Sequence, residues 1–116
     1  MKLKIKINER CFKATLSQNK AVDALVTMLK QAPITISMSD YGGFEKVGAL
    51  KNNLPAQDKY TATVAGDIVL YNSNQIVIFY GSNSWSYTRL AKVDNLDGWK
   101  EALGHGNITA IFSLDD

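Results

Sequence analysis

The run Asp67-Ile68-Val69-Leu70-Tyr71-Asn72-Ser73-Asn74-Gln75-Ile76-Val77-Ile78-Phe79-Tyr80-Gly81-Ser82-Asn83-Ser84-Trp85-Ser86-Tyr87-Thr88-Arg89 decides the fold. Residues 68–71 and 75–80 are rich in β-branched and aromatic side chains, and Asn72-Ser73-Asn74 separates them. Polar turn-formers between two such runs mark a β-hairpin. In the second strand Ile76, Val77, Ile78, Phe79 and Tyr80 follow one another with no polar face. Such a strand is expected to be covered on both sides. Residues 81–87 then read as a polar loop carrying two large aromatics, Trp85 and Tyr87.

Working outward, the flanking segments supply further short strands. Residues 2–7 alternate Lys2, Lys4 and Lys6 against Leu3, Ile5 and Ile7, the period of a half-buried strand. The three lysines then form a solvated outer face. After a turn at Asn8-Glu9-Arg10, residues 11–16 place Phe12, Ala14 and Leu16 on one face. Asn19 is suited to cap a helix running to about Lys30, with Val22, Leu25, Val26 and Leu29 in one apolar stripe. Pro33 forbids its continuation. This helix is expected to seal an opening or a face of the sheet. Residues 34–39, 59–64, 88–93 and 107–114 read as strands, and Leu96, Trp99 and Leu103 mark a short helix ending at Gly104. Between them, the Gly42-Gly43 pair frees the backbone for a tight turn. Short strands at close spacing predict a mainly β fold, a closed or nearly closed barrel of about eight strands with one capping helix and one short helix. Within it Ile76, Ile78, Phe79, Phe112 and Leu114 are expected to be buried.

Length and composition narrow the function. A chain of 116 residues, 46% hydrophobic and 21% charged, is read as one globular domain over residues 1–116. A net charge of +2 with no basic stripe interleaved with aromatics does not point to nucleic acid. No apolar run approaches ~20 residues, so no membrane span is expected. The lone Cys11 fits a reducing compartment, and the cytoplasm is the expected location.

Three segments together carry a resemblance: Ser39-Asp40-Tyr41-Gly42-Gly43-Phe44-Glu45-Lys46, Ala65-Gly66-Asp67-Ile68-Val69-Leu70-Tyr71, and residues 79–89. The chain resembles the small bacterial and archaeal cyclophilin-like domains nearly end to end. The resemblance implies a cyclophilin-like β-barrel with a capping helix. It does not carry activity with it. Cyclophilins that isomerise prolyl bonds use an arginine beside a Phe-His pair and a Gln-Gly-Gly-Asp segment. Neither motif is present here, and the only arginines are Arg10 and Arg89. No catalytic residue is carried over, and prolyl isomerase activity is not expected.

The remaining chemistry is sparse. One His and one Cys cannot make a zinc site without carboxylates, so no metal or other cofactor is expected. Asp40 and Glu45 flank the glycine turn; they are read as a turn cap and an exposed carboxylate, with acid–base catalysis as the alternative if either is buried. The candidate ligand-binding set is Tyr41, Phe44, Tyr80, Ser82, Asn83, Trp85, Tyr87 and Arg89. These residues line a groove between the glycine turn and the aromatic loop, taking a peptide or small molecule, or they are barrel packing. The functional expectation is a binding or interaction module. An enzyme (residual prolyl isomerase, or acid–base through Asp40 or Glu45) and a structural partner of another protein, such as a flavodoxin-like one, are the alternatives.

Overall fold

A computed structural model describes residues 1–115. In chain order the elements are β1 (Lys2–Ile7), β2 (Arg10–Leu16), α1 (Lys20–Gln31), β3 (Ile34–Tyr41), β4 (Glu45–Ala49), β5 (Lys59–Ala62), β6 (Asp67–Tyr71), β7 (Gln75–Phe79), β8 (Ser84–Val93), α2 (Trp99–Leu103) and β9 (Ile108–Asp115). The strands pair antiparallel in the order β1-β9-β3-β4-β7-β6-β8-β2, and β2 returns to β1. Eight strands thus close a barrel, which removes the exposed edges an open sheet would present. The extra strand, β5, lies outside the ring against the first half of β8, pairing Lys59 with Tyr87 and Ala62 with Ser84.

The central hairpin forms as its sequence predicts, and β7 is covered on both faces. Ile76 and Ile78 point into the barrel with Leu3, Ile5, Ile7, Ile68, Leu70 and Phe112. Val77 and Phe79 point outward into a second apolar cluster with Val69 and Tyr87, over which Phe44 and Val47 pack. Burial of both faces explains why no polar alternation marks this strand. Leu114 is half-buried rather than buried, because it stands opposite Leu3 one step from the end of the β1–β9 pairing.

The helix α1 is capped as expected, the Asn19 Oδ1 accepting from the Val22 N–H at 2.9 Å. The other half of that amide donates to the Arg89 carbonyl at 2.8 Å, tying the helix start to β8. Ala21, Val22, Leu25 and Leu29 are buried against the barrel, where α1 meets β8 and β9.

The predicted polar loop at residues 81–87 is a correction. From Ser84 on, the chain is already strand β8, because β5 supplies backbone partners for Ser84–Tyr87. A register shift then occurs against β6: Ile68 faces Ala91 but Val69 faces Arg89, which leaves Leu90 without an opposite residue. Leu90 and Ala91 are both buried as a result. By strict alternation Tyr87 would share the inward face of Ala91 and Val93. The bulge reverses this and turns Tyr87 outward, where it joins the second cluster.

Candidate outer-face cleft

On the outside of the sheet formed by β3, β4, β7, β6 and β8 lies a cleft of about 530 Å³. One end is set by the β3–β4 turn. Gly42 and Gly43 take φ of 65° and 76° there, and a Cβ on Gly42 would sit 2.3 Å from the Phe44 ring. This turn folds Phe44 back over the sheet, parallel to Phe79 at 6.5 Å and edge-on to Tyr41 at 6.0 Å. The other end is set by β8, whose bulge aims Tyr87 outward. Tyr87 meets Tyr71 at 6.1 Å and Phe79 at 5.7 Å, both edge to face. Tyr41, Tyr71 and Trp85 stay open to solvent at 64%, 38% and 56%, while Tyr87 is buried. Val47 and Gln75 complete the wall between them. Solvent-exposed aromatics gathered in one place are unusual for a surface with no ligand to meet.

Glu45 opens β4 opposite Phe79 and Tyr41 and lines this cleft. The expectation of an exposed carboxylate is wrong: the residue is 6% exposed, because the Gly42-Gly43 turn and its aromatics cover the outer face. Among the described residues its carboxyl has neither a hydrogen-bond donor nor a cation beside it. Its oxygens are not sealed off, so they face the cleft itself. Burial, and after it the charge of Asp40, push this carboxyl from 4.5 up to about 7.

Behind the cleft stands a second polar cluster that the sequence did not single out. Lys46 points to the inner side, and its side chain is fully buried. Its Nζ donates to the Gly106 carbonyl at 2.5 Å and lies 3.2 Å from Asp40 Oδ1. It also sits 5.5 Å from the centre of the Tyr80 ring. The Tyr80 hydroxyl donates to the same Asp40 oxygen. That bond, with Lys46 adding to it, holds the Asp40 carboxyl below its ordinary range. Burial and the bond to Asp40 push the Tyr80 phenol up to about 12. Adjacent charges in Glu45-Lys46 give no period to read, which is why their opposite fates are hidden in the sequence.

Of the eight candidates, Tyr41, Asn83, Trp85 and Tyr87 line the cleft. Asn83 donates to the Tyr87 hydroxyl at 3.0 Å and orients it; burial raises the Tyr87 phenol. Phe44 supports the cleft from below, and Tyr80 belongs to the Asp40–Lys46 cluster. Ser82 is exposed without lining the cleft. Arg89 faces a separate hollow beside the start of α1, with its Nη1 3.5 Å from Asp67 Oδ2. Ser39, Asp40, Glu45, Val47, Tyr71 and Gln75 are the cleft residues that the aromatic-loop reading left out. Among the described residues no group of three or more His, Cys, Asp or Glu could hold a metal ion, and no helix is long and apolar enough to cross a membrane.

A closed eight-stranded antiparallel barrel with a helix packed on it and a cleft on its outer face defines a cyclophilin-like β-barrel protein. The chain belongs to the cyclophilin-like family, whose family model matches residues 5–113. A hypothetical protein from Archaeoglobus fulgidus, known from a solution structure, has a similar fold. It is 14% identical, with a TM-score of 0.61 over 97% of this chain and 93% of that one. At that identity the likeness concerns the fold alone. Among curated proteins, none matches this sequence.

Proposed function

We propose that the protein is a binding module whose ligand enters the outer cleft and is oriented by Glu45. The observation that carries this reading is the Glu45 carboxyl, buried without a protein partner and facing a hollow walled by four aromatics. Holding a carboxyl in such a place costs stability, since the covering aromatics strip part of its hydration and no protein group replaces it. A site that binds a complementary group explains the arrangement; barrel packing does not require it. A volume of about 530 Å³ suits a small molecule or one or two peptide side chains.

Trp85 separates binding from packing. It is 56% exposed, so Trp85→Ala is expected to cost less than about 1 kcal/mol in thermal melts. In an NMR-detected fragment titration, the wild type is expected to show shifts at Tyr41, Glu45 and Tyr87, and the variant to lose them. A destabilisation of about 3–5 kcal/mol, as for a buried aromatic, would instead make Trp85 part of the packing.

On the same reading the protein is not a prolyl isomerase. Arg89, the arginine nearest the aromatics, lies outside the cleft against Asp67. A tetrapeptide isomerisation assay at micromolar protein is expected to show no acceleration. Robust acceleration that Arg89→Ala abolishes would contradict this.

A further inference from the structure

We propose that the cleft selects a small organic ammonium ion that still carries an N–H, with the charged nitrogen on the Glu45 carboxylate and its carbon substituents against Tyr41, Tyr71, Trp85 and Tyr87. This names the ligand class for the site proposed above and rests on that reading. Among the described residues, the unpaired charge at the cleft is Glu45: Asp40 also borders it but its carboxylate is paired with Lys46, and no Lys, Arg or His lines it, although the chain as a whole carries a net +2. The nearest ammonium, Lys46, is turned to the other side of the sheet and held by Asp40 and the Gly106 carbonyl. An anion would therefore meet the Glu45 carboxylate and the electron-rich faces of aromatic rings, with no free cation to pair with. A cation is attracted by both.

The need for an N–H follows from Glu45. An ionised carboxylate only accepts hydrogen bonds, and this one accepts none from the protein. An ammonium N–H supplies a charge-assisted bond and neutralises the buried charge in one contact. The walls add apolar area at Val47 and the four aromatics, which a bare inorganic cation could not use.

The titratable groups that face Glu45 are Tyr41 from β3, Tyr71 from β6 and Tyr87 from β8, and the Asp40 carboxylate, paired with Lys46 on the other face, acts on it through its nearby charge. Asp40 is held below the ordinary carboxylate range, and the Tyr87 phenol is raised, so neither changes charge between pH 6 and 8 as Glu45 does. Cation binding takes the ionised form of Glu45. With that carboxyl at about 7, affinity is expected to fall roughly tenfold from pH 8 to pH 6.

Three probes of one size test this by NMR titration of the whole chain: benzylamine, which stays protonated in this range, benzyl alcohol and benzoate. Benzylamine is expected to bind at pH 8 at least about tenfold more tightly than benzyl alcohol, with benzoate weakest, because a paired charge is worth ~1.4 kcal/mol or more here. Its affinity should fall toward pH 6, and Glu45→Gln should remove both the preference and the pH dependence. Equal binding of benzyl alcohol, tighter binding of benzoate, or a benzylamine affinity indifferent to pH would overturn the cation assignment. In those cases shifts at Trp85 and Tyr87 would leave the cleft as a binding site for another class. Failure of benzylamine alongside binding of other fragments overturns the assignment as well. If no probe and no library fragment perturbs the cleft, the binding reading falls with it.

Discussion

Glu45→Gln is expected to stabilise the folded protein at pH 8 by about 2 kcal/mol and to leave its stability at pH 4 nearly unchanged. The folded state holds the Glu45 proton to about 7, whereas the ordinary value is 4.5. Between those two values the folded protein binds more protons than the unfolded chain. Stability from this group is therefore fully present below 4.5 and is lost as pH rises through about 7. At about 1.4 kcal/mol per pH unit the interval corresponds to ~3 kcal/mol, which the access of solvent to the carboxyl oxygens brings down to about 2. Gln keeps the shape of the protonated acid and never ionises, so it escapes that loss. Urea unfolding of both proteins at pH 4 and pH 8 measures the difference. A variant that is less stable than wild type at pH 8 would mean that the carboxylate is well solvated or paired.

Trp99→Ala should be among the most damaging substitutions, with a loss of about 3–5 kcal/mol. Trp99 is 1% exposed and meets Phe12 edge-on at 4.9 Å. Its Nε1 donates to the Phe79 carbonyl at 2.8 Å, which fixes α2 to the end of β7. Truncation removes the ring, leaves a cavity and strips the Phe79 carbonyl of its donor. Trp99→Phe keeps most of the volume and should lose mainly the hydrogen bond, about 0.5–1.5 kcal/mol. Set against a total stability of about 5–15 kcal/mol for a domain, the alanine variant stands near the limit of folding. A loss under about 1 kcal/mol by urea unfolding would place α2 elsewhere.

The contrast between the two tryptophans shows what the sequence can and cannot tell. Trp99 falls in a helical stripe with Leu96 and Leu103, and that period predicts its burial, although Leu96 itself stays 43% exposed. The closed barrel, the α1 cap at Asn19 and the two-sided burial of β7 are equally legible, because each follows from local period or from a capping side chain. Trp85 has no such period. Its strand character comes from β5, a partner more than twenty residues away in sequence. The outward turn of Tyr87 comes from the bulge at Leu90, and nothing in the Thr88-Arg89-Leu90-Ala91 order announces an unopposed residue.

The burial of Glu45 is hidden from the sequence for a related reason. Alternation tells which residues of a strand share a face, but not whether the outer face will be covered. Here the Gly42-Gly43 turn swings Tyr41 and Phe44 across it, and burial follows from how that turn folds back rather than from the period of the strand. The aromatic half of the cleft could be named from sequence, while its acidic half, Asp40 and Glu45, appeared only as turn residues.

The protonation of Glu45 tests most directly the claim that this cleft is a built, partly desolvated site rather than an accident of packing. A ¹³C NMR titration of the Glu45 side-chain carboxyl in the wild-type protein, from pH 4 to pH 9, reads it without any substitution. A midpoint near 7 is expected, with the chain folded throughout. A midpoint near 4.5, the ordinary value for the group, would contradict it and return Glu45 to the solvated surface.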